Sequence, residues 1–511
     1  MNNKKNFSLT WIIFILILIY GSALRGVEVF NKNYLFGFDQ GRDYLAVSQI
    51  IDEHKLTLIG AEVGAGFAGI NGLFHGPFYY YLLTIPYILF HGDPYGSILL
   101  MFMIAVLALF LSFFLFGKIF GNAMGLLNAF LFAISRPFEA DARFLWNSHP
   151  APVFIIIALF FAYKIPRKPK LFFGLSLFTA GFIYNFQTAI AVPLVISIFL
   201  YVLIVLRVKD VKAYVTAIGL LLLSFSPLIF FQMRHDYMAF RGLASYIREG
   251  GGGSIINGVS VSQHVRDYWN NFKNTFASDP PVVDLEVVFQ MLLVFVLGVS
   301  LFYALREKEP ARRGFIFLLY IVLVVSWCFF LLLRNVIWDY YILHLHIAFI
   351  ILFSYGTLKL VETFRKRKTY AFVFFPLLYL AVMSYGSMNR FKDVWGYDFG
   401  DYGGGAKIKG KTDAIDYVYA DAKGKPFNVL VFVPPIYTYP YDYLFQWYGK
   451  TKYNYVPKNE KKGLLYLIIE PDYDKPWTYK GWLETVVAGG DVIETKTLPS
   501  GLIVQKRQMN Q

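Results

Sequence analysis

The chain has 511 residues, of which 57% are hydrophobic and only 16% charged, with a mean hydropathy of +0.48. A soluble globular protein does not reach this composition, so the chain is predicted to lie in a membrane. Its apolar runs lack the alternating pattern of an outer-membrane barrel, which favours a helical bundle. The net charge of +14 does not by itself indicate a nucleic-acid partner, because a membrane protein concentrates Lys and Arg in its cytoplasmic loops. No nucleic-acid partner is predicted. With Cys328 as the sole cysteine, a disulfide framework and a cysteine zinc site are excluded.

Apolar runs along the chain predict eleven membrane-spanning helices. The runs are residues 9–24, 96–117, 121–135, 150–163, 171–184, 189–206, 213–231, 287–305, 314–333, 341–358 and 370–387. A further run, 78–90, contains Pro86 and would reach only about 20 Å as a helix. We interpret it as interfacial or re-entrant.

The distribution of Lys and Arg predicts the orientation. With run 78–90 left out, the loops on the N-terminal side hold 18 Lys and Arg, whereas the opposite loops from residue 136 onward hold 8. The positive-inside rule then predicts that the N-terminus faces the cytoplasm. The membrane is predicted to be the plasma or inner membrane. Three long loops, 25–95, 136–149 and 232–286, are expected outside. The first apolar run also fits a cleaved signal peptide, which would leave the following chain outside as well.

The composition changes after residue 387. We therefore divide the chain into a membrane domain, 1–387, and a small extracytoplasmic α/β domain, 388–511. The tail is predicted to contain helices 412–422, 440–448 and 482–488 and strands 428–434, 464–469, 491–496 and 502–506. The glycine run 250–253 in the third outer loop is predicted to be a flexible hinge.

Two acids in the first outer loop are candidates for catalysis. Asp39 and Asp43 stand four residues apart in FGFDQGRDYLAV, so a helix would place both on one face. One could act as a base towards an acceptor hydroxyl, with the other orienting it or binding a cation. The alternative is that Asp43 pairs locally with Arg42 or Arg25.

The same loop ends in GLFHGPFYYYLL, where His75 precedes an aromatic segment. This histidine is a candidate for contact with a phosphate or a reacting group, or is simply interfacial. The second outer loop holds Glu139, Asp141 and Asn147, which predict metal or sugar-hydroxyl binding. Alternatively, Glu139 forms a helical ion pair with Arg143.

Arginines and tyrosines follow the seventh and ninth apolar runs. A guanidinium binds phosphate oxygens in pairs and keeps its charge when partly desolvated, so these residues suit a lipid-linked phosphate. Each of them could instead anchor its helix at the membrane surface. The candidates are Arg234, His235, Arg241, Arg334, Tyr340, Tyr341 and His344.

The order of these segments resembles the GT-C superfamily of integral-membrane glycosyltransferases, of the protein O-mannosyltransferase and lipid A aminoarabinose transferase type. The resemblance covers roughly residues 1 to 360. It rests on Asp39 in FGFDQGRDYL, HGPFYYYLL from His75, EADARFLWN, Arg234 and the Tyr340–Tyr341 pair. It implies an α-helical polytopic membrane protein with about 11 transmembrane helices, which uses a polyprenyl-phosphate sugar as co-substrate outside the cytoplasm. The acceptor would be a glycan, a lipid or a protein.

The resemblance also implies roles for individual residues. Asp39 would be the general base, His75 and Arg234 would face the donor phosphate, and Tyr340 or Tyr341 would help to hold it. The chain departs from the family where His75-Gly76-Pro77 replaces Lys or His followed by two prolines. It departs again where Asn147 stands in place of an acid. A divalent metal, if one is bound, would then depend on Asp141, because Asn is the poorer ligand.

A glycosyl phosphate already carries a good leaving group. The enzyme would therefore deprotonate the acceptor, position it opposite that group and stabilise the departing phosphate, which predicts inversion at carbon one. A transporter for a lipid-linked sugar is the first alternative, although the midplane charges and inverted repeats of transporters are not seen in the sequence. A membrane scaffold or sensor is the second, and it would leave the outer acids and cations unexplained.

Overall fold

The structure is a computed structural model that describes residues 2–63, 72–248, 260–276, 286–333, 337–367, 371–434 and 437–509. The hinge predicted at 250–253 and the candidate Arg334 lie outside the described residues.

Helices occupy all eleven predicted runs. They are Asn2–Arg25, Tyr95–Phe120, Asn122–Ile134, Ala151–Lys164, Pro169–Phe182, Thr188–Leu206, the pair Val211–Ser224 and Ser226–Arg234, Glu286–Leu305, Pro310–Leu333, Leu343–Arg367 and Ala371–Asp393. Among the described residues, four helices are long and apolar enough to cross a membrane, or five if the pair, bent by 62°, counts as one span. The count of eleven spans is therefore not confirmed, and both it and the orientation stay predictions.

Shorter helices lie in the segments predicted to be outside. They are Val27–Asn31, Phe38–Asp52, Phe78–Leu89, Arg136–Ala140, Met238–Arg248 and Val261–Phe276. Helix Phe78–Leu89 has only 12 residues and is too short to cross a bilayer unaided. Its length agrees with an interfacial or re-entrant segment.

Arg25 joins the first long helix to the start of the second outer loop. Its guanidinium donates hydrogen bonds to the carbonyl oxygens of Ala133 at 2.7 Å and Phe132 at 2.9 Å. These carbonyls belong to the last turn of helix Asn122–Ile134, where no intrahelical partner is available. Arg25 satisfies them and is itself fully buried, so it does not pair with Asp43.

The C-terminal part is a small α/β unit, as the sequence predicts. Strands β1 (Asn428–Phe432), β2 (Gly463–Ile469), β3 (Asp491–Thr497) and β4 (Ile503–Met509) form one sheet in the order β1-β2-β4-β3. β1 and β2 are parallel and the other pairs antiparallel. Helices Ile408–Ala422, Tyr439–Leu444, Lys450–Tyr453 and Trp477–Trp482 complete the unit. The helix that precedes it runs to Asp393, and the domain boundary at 387 stays a prediction.

This unit docks on the first outer loop through specific hydrogen bonds. The amide of Phe36 donates to the carbonyl of Ala406 at 3.1 Å. The Tyr443 hydroxyl donates to the carbonyl of Gly92 at 2.5 Å, and Trp447 Nε1 donates to the carbonyl of His91 at 3.0 Å. The C-terminal unit therefore lies directly beside the loop that carries the candidate acids.

Candidate functional site

Asp39 and Asp43 lie on helix Phe38–Asp52, with Arg42 between them. Arg42 Nη1 is 2.7 Å from Asp39 Oδ1, and Arg42 Nη2 is 2.7 Å from Asp43 Oδ1. One guanidinium thus holds both carboxylates at the start of the helix. The local pairing of Asp43 with Arg42, which the sequence left open, is present.

The two acids differ in how far they reach solvent. The Asp39 side chain is 31% exposed, whereas that of Asp43 is 2% exposed. Asp43 also accepts a hydrogen bond of 3.3 Å from the Tyr80 hydroxyl. Burial raises the pKa of Asp43 to about 6, against the opposing effect of the Arg42 cation. Among the described residues, Arg42 forms the one ion pair of the Asp39 carboxylate, and Asp39 is the more solvent-accessible of the two acids.

His75 lies where the first outer loop enters helix Phe78–Leu89. A side chain at the next residue, Gly76, would overlap the Asn185 amide, and Asn185 Oδ1 accepts a hydrogen bond of 3.2 Å from the Phe78 amide. This close approach buries His75, whose Nδ1 lies 3.2 Å from Thr188 Oγ1. Burial and the neighbouring Arg42 cation lower the pKa of His75 to about 4. His75 is therefore neutral at pH 7 and offers a hydrogen bond rather than a positive charge.

We expect this neutral histidine to make the protein sensitive to acid. Its folded-state pKa of about 4 lies below its ordinary value of 6.5. Between these values the unfolded chain binds a proton that the folded chain does not, so stability is lost as the pH falls. His75→Asn should therefore lose less stability than the wild type as the pH falls from 7 to about 4. Thermal unfolding measured across this pH range checks the difference. His54→Asn, at an exposed histidine of the same loop, should unfold like the wild type, and an equal effect there would contradict the assignment.

Glu139 belongs to an ion-pair network. Arg143 Nη1 lies 3.2 Å and Arg390 Nε 3.1 Å from its carboxylate. Arg143 also binds Glu28 at 2.7 Å and Asp398 at 2.8 Å, and Arg390 Nη2 lies 3.7 Å from the same Asp398 carboxylate. The network joins the first and second outer loops to the segment after the last long helix. The helical ion pair considered as the alternative is present, and Glu139 is occupied by it.

Asp141 and Asn147 are not joined by further acidic, His or Cys side chains into a three-ligand cluster among the residues described. Burial raises the pKa of Asp141 well above its usual range, and the nearby Asp339 carboxylate adds to this effect. The Asn147 amide donates to the carbonyl of Phe186. The described ranges contain no group of three His, Cys, Asp or Glu that could hold a metal, and we derive no step through one.

Tyr340 lies near Asp39, at the rim formed by the second and later outer loops. Its ring is 5.5 Å from that of Trp146 and 4.7 Å from that of Tyr341. Burial raises its pKa, and the charges of Asp339 and Asp39 contribute to this shift. Tyr340 therefore keeps its proton and can donate a hydrogen bond to an anionic oxygen.

Arg234 and His235 are exposed at the end of the bent helix. Phe231, on the same helix, packs on Phe74 with ring centroids 5.4 Å apart, and Gln232 Nε2 donates to the carbonyl of Gly72 at 3.3 Å. The helix end that bears Arg234 is thus fixed to the segment leading into His75. No contact within the described ranges joins Arg234 or His235 to Asp39.

Two other candidates from the later loops lie apart from the acids. Arg241 is exposed on helix Met238–Arg248. His344 is buried, with Nε2 2.7 Å from Ser326 Oγ. The sequence had grouped both with Arg234 because all follow apolar runs on the same side.

Sequence reasoning missed several residues around Asp39. Gln40 fixes the helix start, since Oε1 accepts from the Gly37 amide at 2.9 Å and Nε2 donates to the carbonyl of Leu145 at 2.7 Å. Trp146 and two tyrosines of the C-terminal unit, Tyr437 and Tyr439, also surround the site. The dense aromatic run YTYPYDY was the available signal.

No protein-family model and no curated protein sequence matches the chain. Among solved structures, it is similar to ArnT from Cupriavidus metallidurans bound to undecaprenyl phosphate, with a TM-score of 0.56 and 12% identity over 98% of this chain and 97% of that one. The same protein in the apo state gives a TM-score of 0.55 and 11% identity over 99% and 98%. The chain shares the overall fold of ArnT, as the resemblance to the GT-C superfamily implies.

An oligosaccharyltransferase from Archaeoglobus fulgidus is a weaker match, with a TM-score of 0.48 and 13% identity over 96% of this chain and 72% of that one. The likeness to ArnT extends through both the long helices and the C-terminal unit, because it covers nearly the whole of each chain. At 12% identity it establishes the fold and leaves the chemistry to the residues of this chain.

Proposed function

We propose that this protein is an inverting glycosyltransferase that moves a sugar from a polyprenyl-phosphate donor to an acceptor hydroxyl at the extracytoplasmic membrane face. The observation that carries the proposal is Asp39. It is a partly exposed carboxylate, held by Arg42 at the start of an outer-loop helix, in a chain with the fold of a protein that binds undecaprenyl phosphate.

Asp39 suits the role of general base. Its Oδ1 is fixed by Arg42, which orients the carboxylate and leaves its second oxygen available for a hydroxyl proton. Asp43 is a positioning residue, because it is buried behind Arg42 and holds the guanidinium from the other side. The acceptor oxygen bonds to carbon one as Asp39 takes its proton, and the bond from carbon one to the phosphate oxygen breaks.

The departing phosphate takes the electron pair of the broken bond and needs hydrogen-bond donors. Tyr340 is a protonated phenol near Asp39, and His75 is a neutral imidazole near Arg42. Arg234 supplies positive charge from the helix end that packs next to the His75 segment. Attack from the face opposite this phosphate inverts carbon one.

The first experiment reconstitutes the purified protein in liposomes with a panel of radiolabelled polyprenyl-phosphate sugars and crude envelope as acceptor. We expect one donor to lose its sugar. Arg234→Ala should raise the KM for that donor about tenfold, since a phosphate contact is lost, and leave the KM for the acceptor unchanged. Arg266→Ala, at an exposed arginine of the same outer loop, is the matched control.

Consumption of none of the donors would refute the proposed transferase and favour a scaffold or sensor. Movement of an intact donor across the liposome membrane without loss of sugar would instead favour a transporter. A rise in acceptor KM alone in Arg234→Ala would remove Arg234 from the donor phosphate.

A further inference from the structure

Three aromatic rings lie together at the start of the helix that carries Asp39. Phe38 comes from the outer-loop helix, whereas Tyr437 and Tyr439 come from the C-terminal unit. The Phe38 centroid is 5.4 Å from that of Tyr437 and 5.2 Å from that of Tyr439. The two tyrosine rings are stacked at 5.4 Å with an angle of 18°. We call these three residues the aromatic platform.

The docking of the C-terminal unit builds this platform. A side chain at Gly41 would overlap the backbone nitrogen of Pro440, so only glycine permits this approach next to Asp39. The hydrogen bonds from Tyr443 to Gly92 and from Trp447 to His91 fix the same contact. These contacts fix the position of the platform relative to Asp39.

The exposure of Tyr437 indicates a binding role rather than a docking role. Its side chain is 53% exposed, although it lies at the contact between two parts of the chain. A tyrosine that only held the unit in place would be covered, as Tyr443 is at 1% exposure. The exposed ring of Tyr437, stacked on Tyr439 and packed on Phe38, leaves a contiguous apolar face that a ligand can cover.

We propose that the aromatic platform binds a sugar ring of the acceptor, which makes the acceptor a glycan or a glycolipid. This inference rests on the proposed function. The apolar C–H face of a pyranose stacks on a phenyl or phenol ring, while its hydroxyl groups remain free to reach a carboxylate such as Asp39. Asp39, as the proposed base, must meet the acceptor hydroxyl, and Phe38 of the platform precedes it on the same helix. The acceptor is therefore the substrate that the platform faces.

The test measures binding directly, so that it does not depend on turnover. The full-length protein in nanodiscs is titrated with a glycolipid extract of the host envelope, and transfer is measured separately with the donor panel. Tyr437→Ala should weaken glycolipid binding about tenfold, whereas Tyr437→Phe, which keeps the ring, should bind like the wild type. Tyr473→Ala, at a 77% exposed tyrosine of the same unit, should also bind like the wild type.

The outcomes separate the two proposals. Unchanged glycolipid binding by Tyr437→Ala, or no binding by the wild type, overturns the platform. Weaker donor binding with unchanged acceptor binding also overturns it, because the platform would then hold the donor sugar. Transfer to a sugar-free serine and threonine peptide library with the glycolipid inactive would show a protein acceptor and would likewise overturn it. Failure to consume any donor refutes the proposed transferase, while the binding result still decides the platform.

Discussion

Asp39→Asn is expected to lower sugar transfer about a thousandfold, because an amide cannot take the acceptor proton in the transition state. The substitution keeps the shape of the side chain and one oxygen for Arg42. Since Asp39 is 31% exposed, the variant should insert and fold like the wild type and should still bind the donor. The measurement is the rate of transfer from radiolabelled donor in liposomes, with donor binding and thermal unfolding recorded on the same preparation.

Asp52→Asn is the matched control. Asp52 ends the same helix, and its Oδ2 accepts a hydrogen bond of 2.7 Å from Tyr87, away from the site. The same chemical change there should leave transfer within about twofold, as for a surface substitution. Turnover by Asp39→Asn within tenfold of the wild type would show that another group is the base.

Arg42→Met is expected to abolish transfer and also to destabilise the protein. It removes the cation that compensates the buried Asp43 and frees Asp39 from its fixed orientation. Breaking a buried ion pair leaves an uncompensated charge, so we expect a loss of about 2 kcal/mol in the free energy of unfolding, since Arg42 is itself partly exposed. The measurement is reversible unfolding by SDS in mixed micelles.

The loss of stability in Arg42→Met can be separated from its loss of activity. Asp43→Asn in the Arg42→Met background removes the buried charge, so stability should return to within about 1 kcal/mol of the wild type while transfer stays absent. If activity returned together with stability, Arg42 would have only a structural role.

The pH dependence provides a second check on the same pair. An acid whose pKa is raised in the folded state gains stability as the pH falls through that value, because the folded chain binds the proton more tightly. In the wild type this value is about 6 for Asp43, and removal of Arg42 raises it further. The stability deficit of Arg42→Met should therefore shrink in acid. A constant deficit across the pH range would show that Asp43 is not the cause.

Local sequence patterns predicted the elements of the fold well. Each apolar run is helical, and the tail forms the predicted strands, because burial of a continuous apolar face specifies helices and strands residue by residue. The number of spans was harder to predict. Helices such as Asn122–Ile134 are shorter than a bilayer, so length and composition alone do not fix how they cross it.

The sequence likewise predicted only part of the candidate site. Asp39 and Asp43 were found from their spacing, since a helix brings residues four apart to one face. Their difference in exposure was not predictable from that spacing, because Tyr80 from a separate helix covers Asp43. Glu139, like Asp39, was a candidate because it is an acid in a predicted outer loop. Its carboxylate is instead paired with Arg390, which is distant in sequence.

The sequence by itself determined that this is a helical membrane protein with a C-terminal α/β unit, and it identified the acid pair, since these features depend on composition and on neighbours within a few residues. Only the tertiary structure decided which acid is open to solvent and which tyrosines pack on the helix that carries it. The Gly41–Pro440 contact joins parts of the chain about 400 residues apart, and no local pattern encodes such a contact. Burial and charge compensation depend on those distant partners, and they determine the chemistry of each carboxylate.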